Sequence, residues 1–242
     1  MEKALNITDQ CRQAVLEHGI LMNGDEPAGN KLMELPTMRI AIIQNEFPPE
    51  LMTDAFKKHT ENFDFDSPDA FPDGTEAAVR RALGYWYTGK VEFVKNDQNP
   101  DMRIAAYKGS GTIGGFASFP PNDRERENLE GQFESFEYPV MGIEMRSMRF
   151  AAKYSITGTS LLEGIEDTIR HEFGHSFGIL HTTDILYDIK QSEQRTCNEK
   201  DIKTLSEEFS KSVMQPVSAE PAIGSQTDVL IKETIEHGLP KP

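Results

Sequence analysis

Between Ser160 and His181 the chain carries a run that leaves little freedom in what it can build. Ser160-Leu161-Leu162-Glu163 is a capping box, in which the serine hydroxyl and the glutamate carboxylate each satisfy an orphan backbone amide. A helix is therefore expected to start at Leu161 and to run through Ile165 to Phe177. At about 100° per residue, Leu162, Ile165, Ile169 and Phe173 share one face, which must be packed. Thr168, His171 and His175 share the opposite face, so the histidines point away from the packing side. Their i, i+4 spacing stacks two imidazoles one turn apart, where both can reach a single ion through nitrogen at roughly 2.0 to 2.1 Å. Gly178 is placed to end the helix in a left-handed conformation, which reverses the chain and brings in His181 as a third ligand. A fourth position stays open for water, and Glu172, beside the first ligand, can hydrogen-bond that water.

A bare H-E-x-x-H match arises by chance or as ordinary helix surface. The full string is His171-Glu172-Phe173-Gly174-His175-Ser176-Phe177-Gly178-Ile179-Leu180-His181. Requiring Gly178 and His181 as well cuts chance matches roughly several hundredfold, since glycine is only about 7% of average composition and histidine is rarer. The string resembles the H-E-x-x-H-x-x-G-x-x-H signature of metzincin metallopeptidases. Ser212-Val213-Met214-Gln215-Pro216 is similar to their Met-turn, and Pro216, two places after the methionine, resembles the matrixin form rather than the astacin or serralysin form.

That resemblance implies an α/β zincin-like fold. It has a twisted, mostly parallel five-stranded sheet with an antiparallel edge strand, an active-site helix, and a small C-terminal subdomain with the Met-turn and a final helix. It further implies a zinc metalloendopeptidase holding one Zn2+ per chain on His171, His175 and His181, with Glu172 as general base and Met214 as an apolar floor. Gly115, Phe116, Ala117 and Ser118 take the place of the edge strand along which extended peptide binds, and Pro216 and Val217 the wall of the pocket after the scissile bond. The implied partner is a protein or peptide substrate.

The order of elements agrees with that expectation. Met38 to Ile43, Val91 to Val94, Met102 to Tyr107, Phe116 to Phe119 and Val140 to Met145 read as strands, and Thr75 to Tyr87 as a helix. Trp86 reads as core. Gly109-Ser110-Gly111-Thr112-Ile113-Gly114 matches a dinucleotide fingerprint but is followed by a short strand and Pro120-Pro121 rather than by a helix, so it reads as a loop. Residues 1–36, with a possible short helix from Asp9 to Glu17 and then repeated Gly, Asn and Pro, read as an N-terminal extension and a possible prosegment. Residues 37–242 read as the catalytic domain. Asn23-Gly24-Asp25 is a strong turn signal that also faintly resembles the zinc-blocking Gly-Asp of astacin prosegments.

There are departures from the family pattern. The interval from His181 to Met214 is longer than in matrixins and carries its own helical pattern, Ile202, Leu205 and Phe209, which places an insertion over the cleft. The loop from Asn122 to Glu137 has no histidine for a second, structural zinc.

A formal net charge of −15 opposes affinity for phosphate backbones and for anionic membrane surfaces. No nucleic-acid or membrane partner is expected, and no stretch approaches the roughly 20 apolar residues of a membrane span. A monomer is expected. No signal peptide is visible at the start. Two cysteines, Cys11 and Cys197, make no disulfide framework and lack thiolate-site spacing, which favours a reducing compartment, although export without a signal or a removed leader would leave the same sequence. One rival reading is a catalytically inactive zinc-binding interaction module of the same fold, against which stands the presence of Glu172. A second is a zinc hydrolase of non-peptide substrates, against which stand the edge strand and the Met-turn.

Overall fold

The structure, a computed structural model, describes residues 5–43, 71–107, 114–120, 122–123, 140–154, 158–192, 196–215 and 225–237. The chain opens with helix α1 (Asp9–Gly19), then a two-residue strand pair β1 (Met22–Asn23) and β2 (Glu26–Pro27), and the short helix α2 (Asn30–Met33). Strand β3 (Thr37–Ile43), helix α3 (Thr75–Gly84), and strands β4 (Lys90–Phe93), β5 (Met102–Tyr107), β6 (Gly115–Ala117) and β7 (Val140–Glu144) follow. The elements described after these are helices: α4 (Met145–Lys153), α5 (Leu161–Ser176), α6 (Thr182–Gln191), α7 (Glu199–Phe209) and α8 (Gln226–His237).

The main sheet has five strands in the order β4-β3-β5-β7-β6. The first four run parallel, with Met38 opposite Val91, Ile40 opposite Met102, and Ile104 opposite Met141. Only β6 runs antiparallel, Phe116 facing Gly142, and it forms one edge. Every residue of β7, an interior strand between β5 and β6, is buried, as strands of mostly parallel sheets are. The protein is thus α/β, with a mostly parallel five-stranded sheet and a second, two-stranded antiparallel one.

Helix α5 begins where its capping box predicts: Ser160 Oγ accepts from Glu163 N at 3.3 Å, and Glu163 Oε2 accepts from Ser160 N at 2.7 Å. Its face of Ile165, Ile169 and Phe173 is buried against the core, and α3, β6 and β7 pack around it. Trp86 is core as expected; its Nε1 donates to Arg170 O at 2.7 Å.

Three features of the structure go beyond the expectations from the sequence. The N-terminal segment does not stand in front of the domain. Ala14, Val15, Leu16, Ile20 and Leu21 are buried in the same core as α6 and α8. Asp25 lies exposed on the turn between β1 and β2, the plain turn its Asn-Gly signal favours, and is not among the groups that converge with the three histidines. Second, the long interval after His181 folds as α6 and α7, which bury Ile185, Ile189, Leu205 and Phe209 against α1 and α8 and so build the core. Third, Cys11 and Cys197, 186 residues apart, form a disulfide. Such a pair is invisible to spacing arguments because only the tertiary fold brings it together. Disulfides persist in oxidising surroundings, which removes the argument for a reducing compartment.

Candidate metal centre

The sequence places two histidines on α5 and a third beyond its end, and the backbone delivers all three to one point. Helix α5 ends at Ser176 with Phe177 as its C-cap, and Gly178 takes φ +84°, the left-handed conformation that the tight reversal requires. Gly178 N then bonds to His175 O at 2.8 Å and Ile179 N to Gly174 O at 3.0 Å, which closes the helix end and turns the chain back. His181 stands at the N-cap position of the following helix α6, where its side chain makes no capping hydrogen bond.

His181 Nε2 lies 3.1 Å from His171 Nε2 and 3.0 Å from His175 Nε2. His171 Nδ1 faces Val213 O and His175 Nδ1 faces Ile179 O, each at 2.7 Å. A carbonyl only accepts, so both Nδ1 atoms carry the proton and both Nε2 atoms present lone pairs. His181 can donate one Nε2 proton at most. At least one of its two contacts therefore sets lone pair against lone pair, a repulsion that a cation between the rings turns into attraction. These three side chains could hold a metal ion. The carbonyls of Val213 and Ile179 fix the ring tautomers in the way outer partners of metal-bound histidines do. Asp184 brings Oδ2 to 3.6 Å from His181 Nδ1.

Burial keeps the rings neutral, as metal binding demands. It pushes His171 down to about 4, assisted by His181 and opposed by the Val213 carbonyl. His175 is held well below its ordinary value, chiefly by burial and then by the two neighbouring rings. His181 is lowered too, by burial, against the pull of Asp184. Glu172 is buried beside them, and the loss of water raises its carboxyl to about 8. Strand β6 passes close over this part of α5: a Cβ on Gly115 would stand 3.1 Å from Glu172 Oε1 and 2.8 Å from Thr168 Cγ2. The edge strand and the glutamate thus share one site. Ser118 continues from β6, exchanging hydrogen bonds with Val140, and the Phe119 ring lies 5.1 Å from that of His175.

Met214 is fully buried beneath the helix; a Cβ on Gly174 would meet its Sδ at 2.2 Å. The turn that carries Met214 is held from α8, where Asp228 accepts from Ser212 Oγ at 2.5 Å, Val213 N at 3.1 Å and Tyr85 OH at 2.9 Å. Burial raises the Asp228 carboxyl to about 6. The site therefore gathers His171, Glu172, His175, His181, Met214 and Gly115 to Ser118. Pro216 and Val217 lie outside the described residues, as do Gly109 to Ile113 and most of the loop from Asn122 to Glu137. Sequence reasoning missed Val213, Ile179, Asp184 and Asp228. Of these only Asp184, a carboxylate three residues beyond His181, leaves a readable signal.

No helix among the described residues is long and apolar enough to cross a membrane. No protein-family model matches this chain, and no curated protein matches it. Among solved structures it is similar to one titled "GM1 bound form of the ECX AB5 holotoxin", at 12% identity over 96% of this chain and 91% of that one, with a TM-score of 0.40. A likeness that loose carries no argument about this chain.

Proposed function

We propose that this protein is a zinc-dependent metalloendopeptidase of the metzincin type, closest in pattern to the matrixins. The observation that carries the reading is the convergence of three histidine Nε2 atoms, two of them with Nδ1 bound to a backbone carbonyl, beside a buried glutamate and a sheet-edge strand. The donor set fits zinc. Tetrahedral ligands at 2.0 to 2.1 Å stand about 3.3 Å apart, and the spacings of 3.0 and 3.1 Å need only a few tenths of an ångström of adjustment. His171, His175 and His181 would hold it, and Met214 under Gly174 would back the helix that bears two of them.

Zinc bound there supplies Lewis acidity, which polarises a carbonyl and makes water more acidic. The chain supplies the rest. Glu172 takes one proton from the attacking water and returns it to the nitrogen of the leaving amine, so that peptide and water become acid and amine. The raised carboxyl of Glu172 suits proton transfer near neutral pH, and the nearby cation would draw it down again. Strand β6 runs past Glu172 at the sheet edge, which suits an extended peptide added antiparallel to Gly115–Ala117.

The test is a peptide library incubated with the full chain, zinc-loaded and after chelation. Cleavage that needs zinc and returns on its restoration supports the proposal. Zinc binding with no cleavage of any peptide would replace it with the inactive-module reading.

A further inference from the structure

His171 and His175 inherit their positions from α5, but nothing in α5 alone fixes His181. The connection from Gly178 to Leu180 does, and that connection is held from the far end of the chain. Leu21 N donates to Gly178 O at 2.8 Å, Leu180 N donates to Gly19 O at 3.0 Å, and Ile20 stands opposite Ile179 in an antiparallel bridge. Ile20, Leu21 and Ile179 are all fully buried. Ile179 is also the residue whose carbonyl orients His175. Gly29 closes against the helix end so tightly that a Cβ there would fall 2.1 Å from Phe177 O.

On the other side of His181, α6 starts at once and packs on α1, where a Cβ on Gly19 would meet Ile185 Cδ1 at 2.9 Å. Both arms flanking the third ligand thus rest on residues 9–21. Helix α1 is in turn tied to the start of α7, by the Cys11–Cys197 disulfide and by Thr8 Oγ1 donating to the buried Asp201 at 2.7 Å.

We propose that the N-terminal segment is a clamp on the third metal ligand: Gly19 to Leu21 hold the Gly178–Leu180 connection, the Cys11–Cys197 disulfide keeps the clamp shut, and metal affinity falls when that disulfide is reduced. The inference rests on the metal reading above but not on catalysis. It makes Thr8 to Gly29 part of the site, so trimming residues 1–36 should weaken metal binding rather than relieve inhibition. The redox step balances with a phosphine: disulfide, phosphine and water give two thiols and phosphine oxide, the sulfurs gaining the electron pair that phosphorus loses.

The experiment uses the full chain, oxidised and phosphine-reduced, alongside Cys11→Ser/Cys197→Ser and Gly29→Ala. Zinc affinity is read by competition with a fluorescent chelator, and amide exchange is followed at Leu21, Leu180 and Phe173. Reduction and the double variant should weaken zinc binding at least tenfold and speed exchange at Leu21 and Leu180 while Phe173 in α5 stays protected. Gly29→Ala, with the disulfide intact, should weaken zinc by displacing the clamp from the helix end. Equal zinc affinity in both redox states overturns the clamp and leaves the metal site standing. Exchange that accelerates at Phe173 as much as at Leu180 makes the disulfide a general staple and also overturns the clamp. No zinc on the oxidised chain removes the metal reading itself, and the clamp with it.

Discussion

His171 and His175 differ from His181 in what holds them. The helix-borne pair sits one turn apart on α5, so the same backbone order that packs Ile165, Ile169 and Phe173 also aims two imidazoles at one point. Placing the second ring costs little once the first is placed. His181 sits at the mouth of α6, and its connection is tied to Gly19 and Leu21, some 160 residues earlier in the chain by count along the sequence. Local geometry places two of the three histidines, and tertiary structure must place the third. The lesson is that the two halves of one site can respond separately to mutation.

The largest effect should come from His175→Ala. Structural zinc binds with about 10–16 kcal/mol over four ligands, so one ligand is worth about 3 kcal/mol, or at least a hundredfold in affinity. His175→Ala also frees the Ile179 carbonyl that anchors the connection, so chelator competition should show a greater loss than for His181→Ala. The opposite ranking would mean that the loop-borne ligand dominates.

Next comes pH. The folded pKa of His171 is about 4 against an ordinary 6.5. Below 6.5 the unfolded chain therefore binds more protons than the folded one, so the stabilisation is complete above pH 6.5 and is lost as pH falls toward 4. For His171 the loss is on the order of 3 kcal/mol, and the lowered His175 and His181 act in the same direction. The raised Glu172 and Asp228 carboxyls act in the opposite direction over this window, so the check is differential: from pH 7 to pH 4.5 the urea midpoint of the metal-free native chain should shift downward relative to that of His171→Gln. Identical slopes for the two chains would refute the assignment. The smallest effect belongs to Asp184→Asn, which removes the carboxylate 3.6 Å from His181 Nδ1 and should cost about tenfold in zinc affinity, the low end for an outer partner. An unchanged affinity would leave His181 held by its backbone alone.

The same division explains what could be read from the sequence. Capping box, helix direction, i, i+4 histidines and the left-handed Gly178 are all local, and the helix starts at Leu161 as the motif requires. Strand β5 occupies the expected Met102–Tyr107, and α3 stops at Gly84, three residues before the expected Tyr87. The N-terminal segment was harder because β1, β2 and α2 span two to four residues each, too short for any apolar periodicity. Its Gly and Asn residues, read as punctuation of an extension, include Gly19 and Gly29, which serve close backbone approach instead. The carbonyls of Val213 and Ile179 have no side-chain signature at all. Asp228 shows only as one acid on an ordinary helix, until burial and three donors reveal that it holds the turn behind His171.

The central claim joins a metal held by three histidines to a proton carried by Glu172. It is tested most directly by measuring zinc content and peptide cleavage for the native chain and Glu172→Gln side by side. The account predicts one zinc per chain in both, with turnover lowered by about 10²- to 10⁴-fold in the variant. Near-native turnover by a zinc-loaded Glu172→Gln chain would contradict it.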